Sequence, residues 1–196
     1  MLAPRILHTP LSDTLRLKTF DYLVETPNES GYFAILNINE ADVDKEGGYP
    51  LPRARLAEIQ NELIEKGAIG VGWVIGFPHS DRTGGDADFA AAMSYSRTVL
   101  PLFEYDNADY PPPTGTVIIG DDVGGYLARG TLQSIPELAA TPHTTQGIAT
   151  APVDIDNLVR RLPLLYRTPN GWLPAYGTQV LKVLAESDTY IIKTNE

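Results

Sequence analysis

The stretch that decides the fold runs from residue 53 to residue 75 and reads RARLAEIQNELIEKGAIGVGWVI. Its first part places apolar side chains at helical spacing on one face: Leu56, Ile59 and Leu63. This spacing predicts a helix over Arg53–Lys66, and Gly67 follows at the place where helices commonly end. The apolar segment Ala68–Ile75 then predicts a buried strand. A helix joined to a buried strand by one short turn is typical of an α/β protein.

The segments on either side repeat this alternation of strand and helix. Tyr32–Asn39, YFAILNIN, predicts a buried strand with polar residues entering at its C-terminal end. Ala87–Ser96 predicts a short helix, and Thr98–Tyr105, TVLPLFEY, predicts a third strand. Such β-α-β-α-β order implies a parallel sheet with right-handed crossovers. The predicted fold class is therefore α/β: a single three-layer domain with a mostly parallel or mixed central sheet flanked by helices.

All 196 residues are expected to form one domain, because a chain of this length buries a substantial core. An entry helix over about 11–26 precedes the β-α-β-α-β core over about 32–105. An irregular insertion covers about 106–150, and a return strand, a helix and an edge strand cover 151–194.

The two ends of the chain and the insertion carry weaker signals. Ser12 is the predicted N-cap of the entry helix, and Pro27 lies beyond the end of that helix. The inward residues of the entry helix are Leu15, Leu17, Phe20 and Leu23. In the return, Val159–Tyr166 predicts a strand, TPNGW a hairpin-type turn and Ala175–Glu186 a helix. The other predicted elements are the strand TVIIG, the exposed loop DDVGGYLARGT, the helix Ile135–Ala140 and the edge strand TYIIKT.

Charge and composition exclude several classes of function. The net charge of −10 argues against a nucleic-acid partner and against docking on anionic lipids, because both attract Lys and Arg. The absence of Cys excludes thiol catalysis, Cys-based zinc sites and disulfides. No apolar run approaches the roughly 20 residues that span a bilayer, and no signal peptide is visible at the start.

Polar side chains gather where the predicted strands end, which is where parallel α/β sheets bind ligands. The first strand ends in two amides and a carboxylate, and the second leads into the loop GFPHSDRTGGDADF at 76–89. Arg53, at the start of a helix, is placed to approach both strand ends. Trp73 is included as a candidate, although its setting favours the core. The candidate ligand-binding residues are Asn37, Asn39, Glu40, Arg53, Trp73, His79, Asp81 and Arg82.

Simpler interpretations exist for the charged residues of this loop. Asp86 or Asp88 is expected to serve the start of the following helix. Asp81 and Arg82 are equally compatible with an ion pair that locks the loop. Farther along, Arg160 and Arg161 alternate across the return strand, so one is compatible with pointing inward at a carboxylate while its neighbour is solvated.

No catalytic, metal or cofactor site is predicted. Ser80 lies beside His79, and adjacent residues rarely face each other productively. The nucleophile-elbow, dinucleotide-binding and P-loop patterns are absent. Asn37 and Asn39 are neutral amides that hold a divalent cation poorly alone, and one His makes no metal site.

Several blocks occur in the order found in a known family. LRLKTFDYLVETP resembles that family's entry helix with its Phe-Asp pair, and FAILNINEADV resembles its first strand. GGYPLPRARLAEIQNELIEKGA resembles its Trp-Pro-Trp-Pro-Arg turn and helix, and AIGVGWVIGFPHSDRTGGDADFAAAM its second strand and Asp-Arg loop. DIDNLVRRLPLLYRTPNGWLPAYGTQVL resembles its Asp-Gly-Val-Val-Arg-Arg block and last helix. From Asp13 to Thr194 the chain thus resembles the type-two CHASE domain, the extracellular sensing domain of bacterial cyclases, histidine kinases and related receptors.

Acidic residues of the family pattern are replaced at three places in this chain. Asn37-Ile38-Asn39 stands where the family commonly has Asp-x-Asp, Val74 stands for an Asp, and His79-Ser80 stands for Glu-Pro. An acidic pocket for a cation or amine is thereby weakened. A neutral or anionic ligand is favoured, because Arg53 and Arg82 remain.

The resemblance implies a non-catalytic, extracytoplasmic ligand-sensing domain of a membrane-anchored receptor, in the periplasm or outside the cell. Its partners would be an unidentified small molecule, membrane helices, a cytoplasmic output domain such as a cyclase or kinase, and a second copy in a homodimer. Two alternatives remain open. One is a small-molecule hydrolase-like enzyme that uses the loop with His79, Asp81 and Arg82. The other is a degenerate structural or dimerisation module.

Overall fold

The structure is a computed structural model that describes residues 9–25, 30–106, 109–113, 116–120, 125–187 and 189–193. Its helices are α1 (Pro10–Leu23), α2 (Glu40–Lys45), α3 (Arg53–Glu65), α4 (Asp86–Ser94), α5 (Pro136–Ala139) and α6 (Tyr176–Leu184). Its strands are β1 (Gly70–Gly72), β2 (Arg97–Glu104), β3 (Thr116–Ile119), β4 (Tyr126–Leu127), β5 (Thr131–Leu132), β6 (Thr144–Ile148), β7 (Leu165–Thr168), β8 (Gly171–Pro174) and β9 (Tyr190–Lys193).

The central sheet is mixed and has β2 in its middle. β1 and β6 pair with the two sides of β2 in parallel, and β5 pairs antiparallel with the last two residues of β2. Two smaller sheets accompany it: β3 with β9, and β4 with β7 and β8. The predicted α/β fold class with a mixed central sheet is confirmed.

The two faces of the central sheet carry different helices. On one face, Gln60 of α3 donates hydrogen bonds to Ser96 and Thr98 at 2.7 and 2.9 Å, and Leu100 joins the apolar core formed with α4. On the opposite face α6 lies close to the backbone. A Cβ added to Gly72 would lie 2.5 Å from the Tyr176 hydroxyl, and one added to Gly147 would lie 2.8 Å from Tyr176 Cα. The lack of side chains at these two positions therefore allows α6 to lie close to the sheet.

Among the described residues, the core contains two clusters of buried apolar side chains. The first lies among α3, α4, α5 and the sheet, and it contains Leu51, Leu56, Ala57, Trp73, Phe77, Phe89, Ala92, Met93, Leu100, Ile135 and Leu138. The second lies where the β7–β8 hairpin meets the sheet, and it contains Leu102, Ala128, Ile148, Tyr166, Leu173 and Ala175. The predicted helices at 53–66 and 87–96 are confirmed within one or two residues at the ends. Of the residues predicted to face inward, Leu56, Phe89, Ala92 and Met93 are buried and Ile59 packs against the first cluster, whereas Leu63 is only partly buried.

The strand predicted at Tyr32–Asn39 is wrong. This segment is exposed apart from the partly buried Ile38, and it pairs with no strand of the described residues. The place beside β2 is taken instead by β6, TTQGI, which is in register from Thr98↔Thr144 to Leu102↔Ile148. An apolar run predicts burial, but it does not specify which strand the segment pairs with. The β6 segment is polar and gave no apolar signal, although its backbone pairs with β2 in register.

Several smaller expectations also need correction. Thr9 is the N-cap of α1, and the predicted cap Ser12 is its partner in a capping box. Of the inward residues predicted for α1, Leu17 alone is buried. The return strand begins at Leu165 rather than Val159, and the segment expected as an exposed loop contains β4 and the first residue of β5. The buried strand predicted at Ala68–Ile75 is limited to β1, and Ile69 and Val74 beside it are exposed. Pro27 lies outside the described residues. The β7–β8 hairpin turn, the strand TVIIG, the short α5 and the last strand agree with expectation.

Candidate functional site

Arg53 is a buried anchor between two helices and the loop at 76–89. It begins α3 and is 6% exposed. Its Nη2 donates to the His79 carbonyl at 3.1 Å, and its guanidinium lies 4.4 Å from the centre of the Phe77 ring. Its Nε lies 3.3 Å from Oδ1 of Asp86, in the first turn of α4. The positive charge of Arg53 is therefore already matched inside the protein.

Asp81 locks the same loop through its carboxylate. Oδ2 accepts hydrogen bonds from the backbone N–H of Arg53 at 3.1 Å, from Thr83 Oγ1 at 2.6 Å and from the Gly85 N–H at 3.0 Å. Desolvation opposes ionisation, but these hydrogen bonds outweigh it and lower the pKa of Asp81 to about 2. The Asp81 N–H donates to Asp86 Oδ2 at 2.7 Å. The carboxylate thus caps α3, whose N-cap residue Pro52 has no side-chain donor or acceptor.

Trp73 belongs to the core. Its indole N–H donates to Gln60 Oε1 at 2.7 Å, and its ring meets Phe89 edge to face with centroids 5.4 Å apart. Only 6% of the residue is exposed. Its polar N–H is turned towards the α3 side of the sheet and not towards solvent.

The other five candidates lie at the surface. His79 and Arg82 are exposed, and no ion pair joins Asp81 to Arg82 within the described chain. Asn39 caps α2, because its Oδ1 accepts from the Asp42 N–H at 3.1 Å. The structure therefore brings Arg53, Asp81 and the His79 backbone together. The exposed candidates are Asn37, Asn39, Glu40, His79 and Arg82.

A second cluster joins α1 to the segment that leads into β7. Nε and Nη2 of Arg160 donate to Oδ1 and Oδ2 of Asp21 at 2.6 and 2.8 Å. Nη1 and Nη2 also donate to Asp156 at 2.8 and 2.7 Å, and Nη1 lies 3.2 Å from Asp154 Oδ2. The Arg160 side chain is 4% exposed, whereas that of Arg161 is 61% exposed. The expectation that one of these arginines points inward at a carboxylate is confirmed.

Hydrogen bonds from Arg160 lower the pKa of Asp156 to about 2 and also lower the pKa of Asp21. Hydrogen bonds to Asp21 and Asp156 raise the pKa of Arg160 in turn. The sequence signal for this cluster was present in the two blocks that resemble the known family, which carry Phe20-Asp21 and DIDNLVRR. Sequence spacing gave no indication that residues 139 positions apart would meet.

A cavity of about 520 Å³ opens at the C-terminal end of β2. None of the eight candidate residues lines it, nor do they line a smaller cavity of about 360 Å³ between α3 and α4. The sequence did contain a signal for this cavity: polar residues follow the third predicted strand, and ligands of parallel α/β sheets bind at the C-terminal ends of strands. The residues that line the larger cavity are Glu104, Tyr105, Asp106, Arg129 and Thr150.

In the described part of the chain, no group of three or more His, Cys, Asp or Glu residues is arranged to hold a metal ion. No helix among the described residues has the length and apolarity needed to cross a membrane.

The profile of the CHASE2 domain family matches residues 1–194, which is essentially the whole chain. This chain belongs to the CHASE2 domain family. CHASE2 domains are extracellular sensory domains, which supports a sensing role for this one. No curated protein and no solved structure matches the chain.

Proposed function

We propose that this CHASE2 domain is the ligand-responsive sensing module of a membrane-anchored receptor, and that it passes its state on through α1. The observation that carries the proposal is the Asp21–Arg160 contact. α1 buries only Leu17 among its described side chains, so a charged contact supplies much of its attachment to the domain. An element held by few contacts changes position at low free-energy cost.

The contact has the features of a reversible attachment. Arg160 is nearly buried among three carboxylates, whereas Asp21 is 45% exposed. Asp154 and Asp156 would retain the Arg160 charge if Asp21 moved away. Separation of α1 therefore leaves no buried charge without a partner, which would otherwise be costly. A ligand that prefers one arrangement of the domain then shifts the position of α1.

The test is a thermal-shift screen of the chain against metabolites and ions, followed by hydrogen exchange of α1 with each stabilising compound. We expect at least one compound that raises Tm and changes the exchange of amides in Pro10–Leu23. In the Asp21→Asn variant, the same compound should still raise Tm but should no longer change the hydrogen exchange of α1. A stabilising compound that leaves α1 unchanged in the wild-type chain would refute the coupling.

Dimerisation is a second candidate function, and a specific observation favours it. The exposed segment before α2 carries Tyr32, Phe33, Ile35 and Leu36, and the segment before β7 carries Val153, Ile155, Leu158, Val159, Leu162 and Leu164. Clustered exposed apolar residues are typical of interaction surfaces. Light scattering tests the oligomeric state. A stable dimer without any stabilising compound would favour the structural module over the sensor.

The enzymatic alternative receives less support from the geometry. The Asp81 carboxylate is occupied by three N–H or O–H donors, and the exposed His79 contributes its carbonyl to Arg53. A general base needs an orienting partner for its imidazole, and no such partner of His79 is present among the described residues. Turnover of a generic ester or phosphate substrate that is lost on His79→Ala would reverse this conclusion.

A further inference from the structure

The cavity at the end of β2 contains charged groups that do not pair with one another. Glu104 is the last residue of β2, and its backbone N–H donates to Thr150 Oγ1 at 2.8 Å. The Tyr105 N–H donates to the Gly130 carbonyl at 3.0 Å, which places the neighbouring Arg129 at the same edge. Three segments that are distant in sequence therefore meet at the C-terminal ends of parallel strands, where α/β sheets bind ligands.

The Glu104 carboxylate has no cationic partner within the described chain. Its Oε1 atom is shielded from solvent and accepts no hydrogen bond from any described residue. A shielded carboxylate oxygen without a hydrogen-bond donor is unfavourable, because it has lost its contacts with water. Burial raises the pKa of Tyr166 to about 12, and the negative charge of Glu104 is a smaller cause of the same shift. The negative charge of Glu104 therefore has no counter-charge among the described residues.

Arg129 supplies the opposite charge in the same cavity. It is exposed, and within the described chain it forms no ion pair with Glu104 or Asp106, although all three line the cavity. Groups of opposite charge that share a cavity without meeting leave room for a ligand with both charges. Thr150 also lines the cavity, and its Oγ1 accepts the hydrogen bond from the Glu104 backbone N–H.

We propose that this cavity binds a small zwitterion, an α-amino acid, with its ammonium group at Glu104 and Asp106 and its carboxylate at Arg129. Tyr105, which is 60% exposed, lines the same cavity. The volume of about 520 Å³ lies in the range of small-molecule sites, roughly 300–1,000 Å³. Two carboxylates are too few for a dedicated metal site, and the arginine favours a ligand that also carries a negative group.

This proposal rests on the sensing function proposed above, and it names the ligand class and the site. It also revises the expectation of a site around Arg53 and Arg82, because Arg53 already contacts Asp86 and the His79 carbonyl. Loss of acidic positions around Arg53 does not weaken a cation site that is formed by Glu104 and Asp106.

The test measures binding of L-glutamine, L-leucine, L-phenylalanine and L-lysine by calorimetry, together with the amide and the N-acetyl derivative of each. We expect at least one amino acid to bind, and its two derivatives to bind about tenfold more weakly or worse, since each lacks one charge-assisted hydrogen bond. Glu104→Gln and Arg129→Gln should each weaken binding by a similar factor. Glu137→Gln and Arg82→Gln, both at exposed positions outside the cavity, should leave it unchanged.

Three results would overturn the proposal: no binding of any of the four amino acids, equal binding of the derivatives, or loss of binding in Arg82→Gln but not in Arg129→Gln. Circular dichroism and Tm establish that each variant is folded. If none of the amino acids binds but another compound stabilises the chain and changes the exchange of α1, the sensing function is supported and the zwitterion site is refuted. If an amino acid binds as described and α1 exchange does not change, the site stands and the coupling falls.

Discussion

Asp21 and Arg160 are separated by 139 positions and form a two-pronged ion pair, with Nε–Oδ1 and Nη2–Oδ2 distances of 2.6 and 2.8 Å. The planar guanidinium matches the carboxylate with two parallel hydrogen bonds, a geometry that Lys cannot reproduce. One end of the pair lies in α1 and the other lies just before β7. The contact therefore ties the first described helix to the return part of the chain.

Replacing Asp21 by Asn is expected to loosen α1, because the amide cannot accept from both N–H groups of Arg160. We expect Tm to fall by only about 2–4 °C, because solvent screens the charge of the half-exposed Asp21. Trypsin should cleave at Arg16 and Lys18 of α1 several times faster. Tyr22→Phe on the same helix is the control, because Tyr22 is 88% exposed. Equal cleavage rates of the two variants would contradict the prediction.

Replacing Arg53 by Ala should destabilise the domain by about 3–5 kcal/mol, because Asp86 is left partly buried without its cation. The free energy of unfolding from urea titration measures this loss. Arg82→Ala should stay within about 0.5 kcal/mol, since that side chain is exposed. Similar costs for the two arginines would show that the Arg53 anchor does not stabilise the loop as described.

Adding one methyl group to Gly147 should push α6 away from the sheet, because the new Cβ would lie 2.8 Å from Tyr176 Cα. Overpacking of this kind typically costs about 1–3 kcal/mol. Gly177→Ala is the matched control inside α6, where a Cβ meets nothing within 4 Å. That control should be stabilising by about 0.5–1 kcal/mol, as Ala is a better helix former than Gly. Urea titration of both variants separates packing from helix propensity, and equal stability would refute the close approach.

Acid should weaken the locked loop at 76–89. The pKa of Asp81 falls from 3.8 to about 2 on folding, so its contribution is fully present above the unfolded value and is lost as pH drops through the folded value. This shift corresponds to on the order of 2 kcal/mol. Stability measured between pH 5 and pH 2 should decline less steeply in Asp81→Asn than in the wild-type chain. Parallel pH profiles for the two proteins would contradict the prediction.

Local sequence patterns determined the elements whose signals are self-contained. Leu56 and Ile59 in α3, and Phe89 and Met93 in α4, lie at helical spacing, and both helices form with these residues inward. The apolar run that became β2 was also recognisable, because a central strand is buried on both faces and has an almost wholly apolar sequence.

Strand pairing was not decided by such patterns. Tyr32–Asn39 is more apolar than β6, yet β6 lies beside β2 while the other segment remains exposed. Pairing depends on the register of two backbones and on the space left by glycines such as Gly147, which local composition does not report.

The sequence by itself determined the α/β class, the helices α3 and α4, the exclusion of thiol chemistry and membership of an extracellular sensory family. Only the tertiary structure decided which charged residues meet. It placed Arg53 and Asp81 where they hold the loop, and it joined Asp21 to Arg160. It also brought Glu104 and Arg129 to one cavity without an ion-pair partner among the described residues. The physical reason is that a charge acts over a few ångströms, and distances of that size between remote segments exist only after the chain has folded.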